Sequence, residues 1–135
     1  MQKIIQETNA INWFEIPVTD IKRAKSFYEN ILDIEMQSQF IEETKEESAF
    51  FPFTGSKVRA TSGRVSGILV KNNHNKPSAL GTMVYLNANP DIQIVLGKVE
   101  SAGGKILIPM KKIIAGSIAV ITDTEGNRVG LHSNK

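Results

Sequence analysis

Few side chains in this sequence can carry chemistry. There is no cysteine, which removes disulfides, thiolate nucleophiles and thiolate metal sites together. Two histidines are present. His74 lies in Asn72 to Pro77 (NNHNKP), a run of turn-forming residues that reads as a linker with an exposed histidine. His132 and Glu15 instead fall in strand-like runs, Arg128 to Ser133 and Asn12 to Val18. Either could serve as a general acid or base, given a pKa moved toward neutrality and reach of about 3 Å to a substrate proton. Ser133 is adjacent to His132, so in a strand the two point to opposite faces and form no dyad. No GxSxG elbow, P-loop, HExxH or dinucleotide fingerprint occurs. Gly103-Gly104 follows a helical pattern, which suits a helix stop and not a phosphate cradle, since a cradle precedes its helix.

The elements that must position these residues follow from hydrophobic periodicity. Asn12 to Val18 (NWFEIPV) is a strand with Phe14, Ile16 and Val18 on one face and Trp13 and Glu15 on the other. A helix follows, capped at Thr19 or Asp20, with Ile21, Ala24, Phe27, Tyr28, Ile31 and Leu32 at helical spacing. Strands are expected at Ile34 to Phe40, Ser48 to Phe53 and Val65 to Val70. The acidic segment Ile41 to Glu47 (IEETKEE) between the first two reads as a solvated hairpin tip. Phe50, Phe51 and Phe53 read as strand-core packing, with lining of the helix-free face as the alternative, and Pro52 as an edge or bulge.

The pattern then restarts. Thr82 to Ala88 is a strand, and Asn89-Pro90-Asp91 offers an N-cap, a first-position proline and an early acid. Ile92, Val95, Leu96, Val99 and Ala102 mark a second helix, followed by strands Lys105 to Met110, Ser117 to Thr122 and Arg128 to Ser133. Asp123-Thr-Glu-Gly-Asn127 joins the last two as a Gly-bearing turn. The chain thus reads βαβββ twice, an internal repeat. Val65-Ser66-Gly67-Ile68-Leu69 resembles Arg128-Val129-Gly130-Leu131-His132, which matches Gly67 with Gly130. The class is α+β: helices cluster on one face of largely antiparallel strands, and the helix-free face of each sheet is available to curl around a ligand. Tyr85 is expected in the core.

The 135 residues suit a single domain, residues 1–135, with one module at about 10–71 and the other at about 81–133. Sixteen basic against fourteen acidic residues leave a net charge of +2, no electrostatic footprint for a nucleic-acid partner. The N-terminal residues contain no apolar h-region and no run approaches a membrane span. A cytoplasmic protein with no membrane partner is the expectation.

Repeated βαβββ units of this spacing resemble the vicinal oxygen chelate superfamily of glyoxalases, bleomycin-resistance proteins and extradiol dioxygenases. The carrying residues are Ile16-Pro-Val-Thr-Asp20 with Ala24 and Phe27-Tyr28, then Val99-Glu-Ser-Ala-Gly-Gly104 and Asp123-Thr-Glu-Gly-Asn-Arg-Val129. The similarity runs from about Ala10 to Ser133. It implies paired modules whose sheets form a cup, often across a homodimer, and commonly one divalent metal held by the first and last strand of each module. Carried onto this chain, those positions are Trp13, Gly67, Val84 and Gly130. None supplies a carboxylate or imidazole, whereas such metals take N or O donors, usually three or four from the protein. Glu15 and His132 share the cup side with Trp13 and Gly130 and are expected as polar lining, with a displaced metal site as the alternative.

The leading functional expectation is a metal-independent member of the superfamily, without cofactor, that binds a small, partly apolar organic molecule. Its lining would be Trp13, Glu15, Val84, Leu86, Gly130 and His132. The rivals are a lyase, isomerase or dioxygenase-like enzyme using Glu15 and His132, and a protein-interaction module. A homodimer is expected from the resemblance and from otherwise exposed sheet edges.

Overall fold

The computed structural model describes residues 11–52 and 65–135. Its elements run β1 (Trp13–Pro17), α1 (Ile21–Leu32), β2 (Gln37–Ile41), β3 (Glu46–Phe50), β4 (Ser66–Lys71), β5 (Tyr85–Asn87), α2 (Ile92–Val99), β6 (Lys105–Ile113), β7 (Gly116–Thr122) and β8 (Arg128–Ser133). They form two four-stranded sheets, ordered β1-β4-β3-β2 and β5-β8-β7-β6. In each the first strand lies parallel to the last and the remaining pairs are antiparallel. This is the α+β, twice-repeated βαβββ architecture read from the sequence.

Each helix forms for reasons visible in its residues. Ala24, Phe27, Tyr28 and Ile31 lie on the buried stripe of α1, and the Asp20 carboxylate caps it by accepting from the Arg23 amide. A cap of that kind contributes about 1 kcal/mol. Asp33, in the left-handed region at φ 54°, ends the helix; Ile34 therefore belongs to the turn, and β2 begins at Gln37. Helix α2 buries Ile92, Val95, Leu96 and Val99. Its cap is Asp91, which accepts from the Gln93 amide, so the Asn89–Pro90 pair stands outside the helix as a cis peptide. Gly103 adopts φ 105° just beyond it. The buried side chains of both helices and the inward faces of both sheets make one core.

The extra residue contributed by Asn89–Pro90 shifts the phase of β5. In the first module, core residues Ile16 and Val18 lie four and two positions before the cap Asp20; in the second, Leu86 and Ala88 lie five and three before Asp91. Leu86 is thus buried and Val84 packs against the core, while Tyr85, expected inside, is 45% exposed. The expected repeat alignment is off by one residue for the same kind of reason. The Val18 amide donates to the Val70 carbonyl and the Ala88 amide to the His132 carbonyl. Val70 is therefore level with His132, Ile68 with Gly130, and Gly67 with Val129.

Other boundaries moved less. The β2–β3 turn is confined to residues 42–45, with Lys45 at φ 60°. Phe51 is core, packed on Phe14 and Tyr28, whereas Phe53 lies outside the described residues. Strand β6 runs three residues beyond Met110, to Ile113.

Candidate functional site

The helix-free face of the first sheet is built by strand alternation on β1, β4 and β3. Trp13 stands level with Ser66, Glu15 with Ile68, and Ile68 in turn with Phe50. The Trp13 Nε1–H donates to Glu15 Oε2 at 3.2 Å, and the indole meets the Phe50 ring edge-on at 6.2 Å between centroids. Trp13 remains 45% exposed while Ile68 beneath is buried. The result is an aromatic wall over an apolar floor, with one carboxylate held at its rim.

The second sheet builds a different half. Tyr85 is level with Gly130 and Asn87 with His132. The Tyr85 ring covers Gly130 closely: a Cβ there would stand 2.4 Å from Tyr85 Cδ1. Val120, level with Gly130, is buried and forms the floor. His132 Nε2 lies 2.7 Å from the Ala115 carbonyl oxygen. A carbonyl only accepts, so Nε2 carries the hydrogen of this bond.

Of the six expected lining residues, Trp13, Glu15, Gly130 and His132 lie on helix-free faces. Val84 and Leu86 do not, because of the phase shift, and Tyr85 takes their place. Gly67 also faces inward, where a Cβ would meet the Phe14 carbonyl at 2.4 Å. Glu15 and His132 sit on separate sheets, each with its own partner. His74 is exposed, its amide donating to Asn72 in a turn.

What joins the modules is a polar clamp that sequence reasoning took for a simple hairpin turn. Among the described residues no strand of one sheet approaches a strand of the other; the elements meet through α1 and α2. The β7–β8 turn adds the clamp. Tyr28 Oη donates to Asp123 Oδ2 at 2.7 Å, and Asn127 Nδ2 donates to that same oxygen and to the Pro17 carbonyl. Glu125 Oε1 accepts from the Thr19 and Asp20 amides, and its Oε2 from Arg23 Nε at 2.7 Å. Burial pushes the Tyr28 hydroxyl well above its usual range, and the Asp123 charge adds to the effect. Burial also pushes the Glu125 carboxyl up, but the hydrogen bonds from Arg23, the Asp20 and Thr19 amides and Thr124 outweigh it and hold it at about 2. The signal available in the sequence was two acids spaced around a turn, Asp123 and Glu125, and an Arg and a Tyr, Arg23 and Tyr28, in the same helix.

The donor set does not suit a divalent metal of the usual kind. The helix-free faces offer Glu15, with Glu46 on the same side of β3 near its hairpin turn, and one imidazole, His132, on the other sheet, no strand of which contacts a strand of the first. The described residues contain no group of three or more His, Asp or Glu placed to hold an ion. A cleft of about 400 Å³ lies elsewhere, between α2 and β6, lined by Leu96, Gly97, Ile106, Pro109 and Met110 with Gln93 and Glu100. No helix among the described residues is long and apolar enough to cross a membrane.

With this geometry in hand, comparison with known proteins is decisive about the fold. The family model of the Glyoxalase/Bleomycin resistance protein/Dioxygenase superfamily matches residues 10–131. The chain belongs to that superfamily. It is similar in structure to glyoxalase I from Zea mays (TM-score 0.65, 19% identity), covering 90% of this chain and 45% of that one; the chain thus spans about half the length of the maize protein. It is also similar to a glyoxylase/bleomycin resistance protein/dioxygenase domain from Frankia (0.67, 14%, 94% and 98% covered). A third likeness is to a glyoxalase/bleomycin resistance protein from Albidiferax ferrireducens (0.64, 14%, 94% and 100% covered). No curated protein matches the sequence significantly.

Proposed function

We propose that this superfamily member binds a small, partly apolar organic molecule against its helix-free faces, without the divalent metal common in the fold. One observation carries the reading: those faces present half-exposed aromatics, Trp13 and Tyr85, over the buried apolar floors Ile68 and Val120. Aromatics supply large contact area and orient a planar ligand. Glu15 and His132 add one polar group on each half. A second copy completes the cup. In support of that pairing, β1 and β5 each keep one unpaired edge, and the two half-sites of one chain stand on sheets with no strand contact. Bare edges of this sort are normally covered.

Trp13 is the sole tryptophan, so its fluorescence reports directly on the face. Titration of the purified protein with planar aromatic acids, amines and neutral analogues should quench or shift this emission at micromolar concentration for at least one class. A Tyr85→Ala variant should weaken that same ligand by about tenfold. Absence of any response across the series, confirmed by calorimetry, would remove the proposal.

A further inference from the structure

Strand β6 carries an exposed surface that the cup does not explain. It is an edge strand, paired only with β7. Leu107 and Ile108 are about half exposed, and Ile114 just beyond the strand is fully so. Lys105, Lys111 and Lys112 stand among these residues and make no ion pair among the described residues. Pro109 and two register shifts along the β6–β7 ladder blunt this edge against continuous strand addition. Contact here must therefore be made by side chains.

The complementary surface is in the same chain. The β2–β3 hairpin tip holds Glu42, Glu43, Glu46 and Glu47 against the single Lys45, a net charge opposite and equal to that of β6. Glu42 and Glu47 are paired to Lys45 and Lys71, while Glu43 and Glu46 make no ion pair among the described residues. Phe40 at its base is 53% exposed. Within one chain neither β2 nor β3 contacts β6, so the strands that carry the two surfaces do not meet in one molecule.

We propose that β6 of one chain seats against the acidic β2–β3 hairpin of a second copy, and that the contact occurs twice about a twofold axis. The inference rests on the pairing of chains proposed above and adds which surfaces meet. Apolar burial of Leu107, Ile108 and Phe40 supplies the attraction, and the charges select the register, since exposed ion pairs contribute little affinity but reject wrong partners. A twofold arrangement satisfies both surfaces of both chains and leaves no open end for fibre growth.

Charge exchange tests this. Two variants, Lys111→Glu/Lys112→Glu and Glu43→Lys/Glu46→Lys, are checked for folding by circular dichroism and compared with wild type by sedimentation velocity. Wild type should be a dimer that weakens between 0.05 and about 0.5 M salt. Each variant alone should associate about tenfold or more weakly. Their equimolar mixture should restore a heterodimer, because both contacts then join opposite charges. Variants that dimerise as wild type does would overturn this contact while leaving the pairing intact. A wild type that stays monomeric throughout would overturn both, as would a monomer whose β6 lysines instead bind polyglutamate or anionic phosphatidylserine vesicles.

Discussion

The Tyr28 hydroxyl donates to Asp123 Oδ2 at 2.7 Å across 95 residues of sequence, and both side chains are withdrawn from solvent. One residue is on the first helix, the other in the last hairpin. The bond therefore ties the first βαβββ unit to the second at a point where strands do not reach. Replacing Tyr28 by Phe removes the donor and leaves Asp123 with Asn127 and the local amides. The expected loss is about 1–2 kcal/mol in urea unfolding. An unchanged midpoint would show that the clamp is dispensable.

Glu125 gives the clamp a pH signature. Its carboxyl is held at about 2 in the folded protein, below the ordinary glutamate value near 4.3. A group depressed on folding contributes stability above its unfolded pKa and loses it as pH falls toward the folded one. The advantage of wild type over Glu125→Gln should thus be full at pH 6 and shrink progressively between about pH 4.5 and 2. Urea midpoints measured at half-unit pH intervals would check this; a constant difference would mean that Glu125 is not held as its partners indicate.

The glycines of β4 and β8 should respond differently to the same change. A Cβ at Gly67 meets first the Phe14 backbone carbonyl and then its ring, whereas the nearest atoms to a Cβ at Gly130 all belong to the Tyr85 ring. Gly67→Ala is expected to destabilise by about 1–3 kcal/mol whatever is done to Phe14, because backbone does not yield. Gly130→Ala should be rescued by Tyr85→Ala, giving a coupling of about 1 kcal/mol in a double-mutant cycle. Additive effects at 130 and 85 would contradict the observed stacking.

The same pair shows what could be read in advance. Both helices, both caps' neighbourhoods and the approximate places of all eight strands were legible, because apolar residues in α1 and α2 recur at helical spacing on the buried face and the strands are short runs bounded by turn residues. Trp13 and Glu15 were placed on the helix-free side by alternation, and His132 by alternation from the position the family resemblance gives to Gly130; the strand register puts all three on that side. Val84, Leu86 and Tyr85 were misplaced, since one additional residue before Asp91 reverses every side chain of a three-residue strand. The clamp of Asp123, Glu125 and Asn127 was read only as a turn. Its partners Tyr28 and Arg23 lie about a hundred residues away, and no local pattern encodes that distance.

Metal content can be predicted from the donors. Protein purified without a tag should contain well under one equivalent of Zn, Ni, Fe or Mn per chain, since three or four donors are normally needed, and His132→Ala should not alter it. Stoichiometric metal lost in that variant would restore the displaced site of Glu15 and His132 as the better reading.

The separation of the two sheets has a genetic consequence. In the paired arrangement proposed above, Trp13 and Tyr85 of one compartment come from different polypeptides, so two defective alleles need not be equivalent to one. In a mixed dimer of Trp13→Ala and Tyr85→Ala chains, one compartment collects both lesions and the other inherits neither. Co-expression of two inactive copies should then recover up to half of the binding capacity of a mixed dimer.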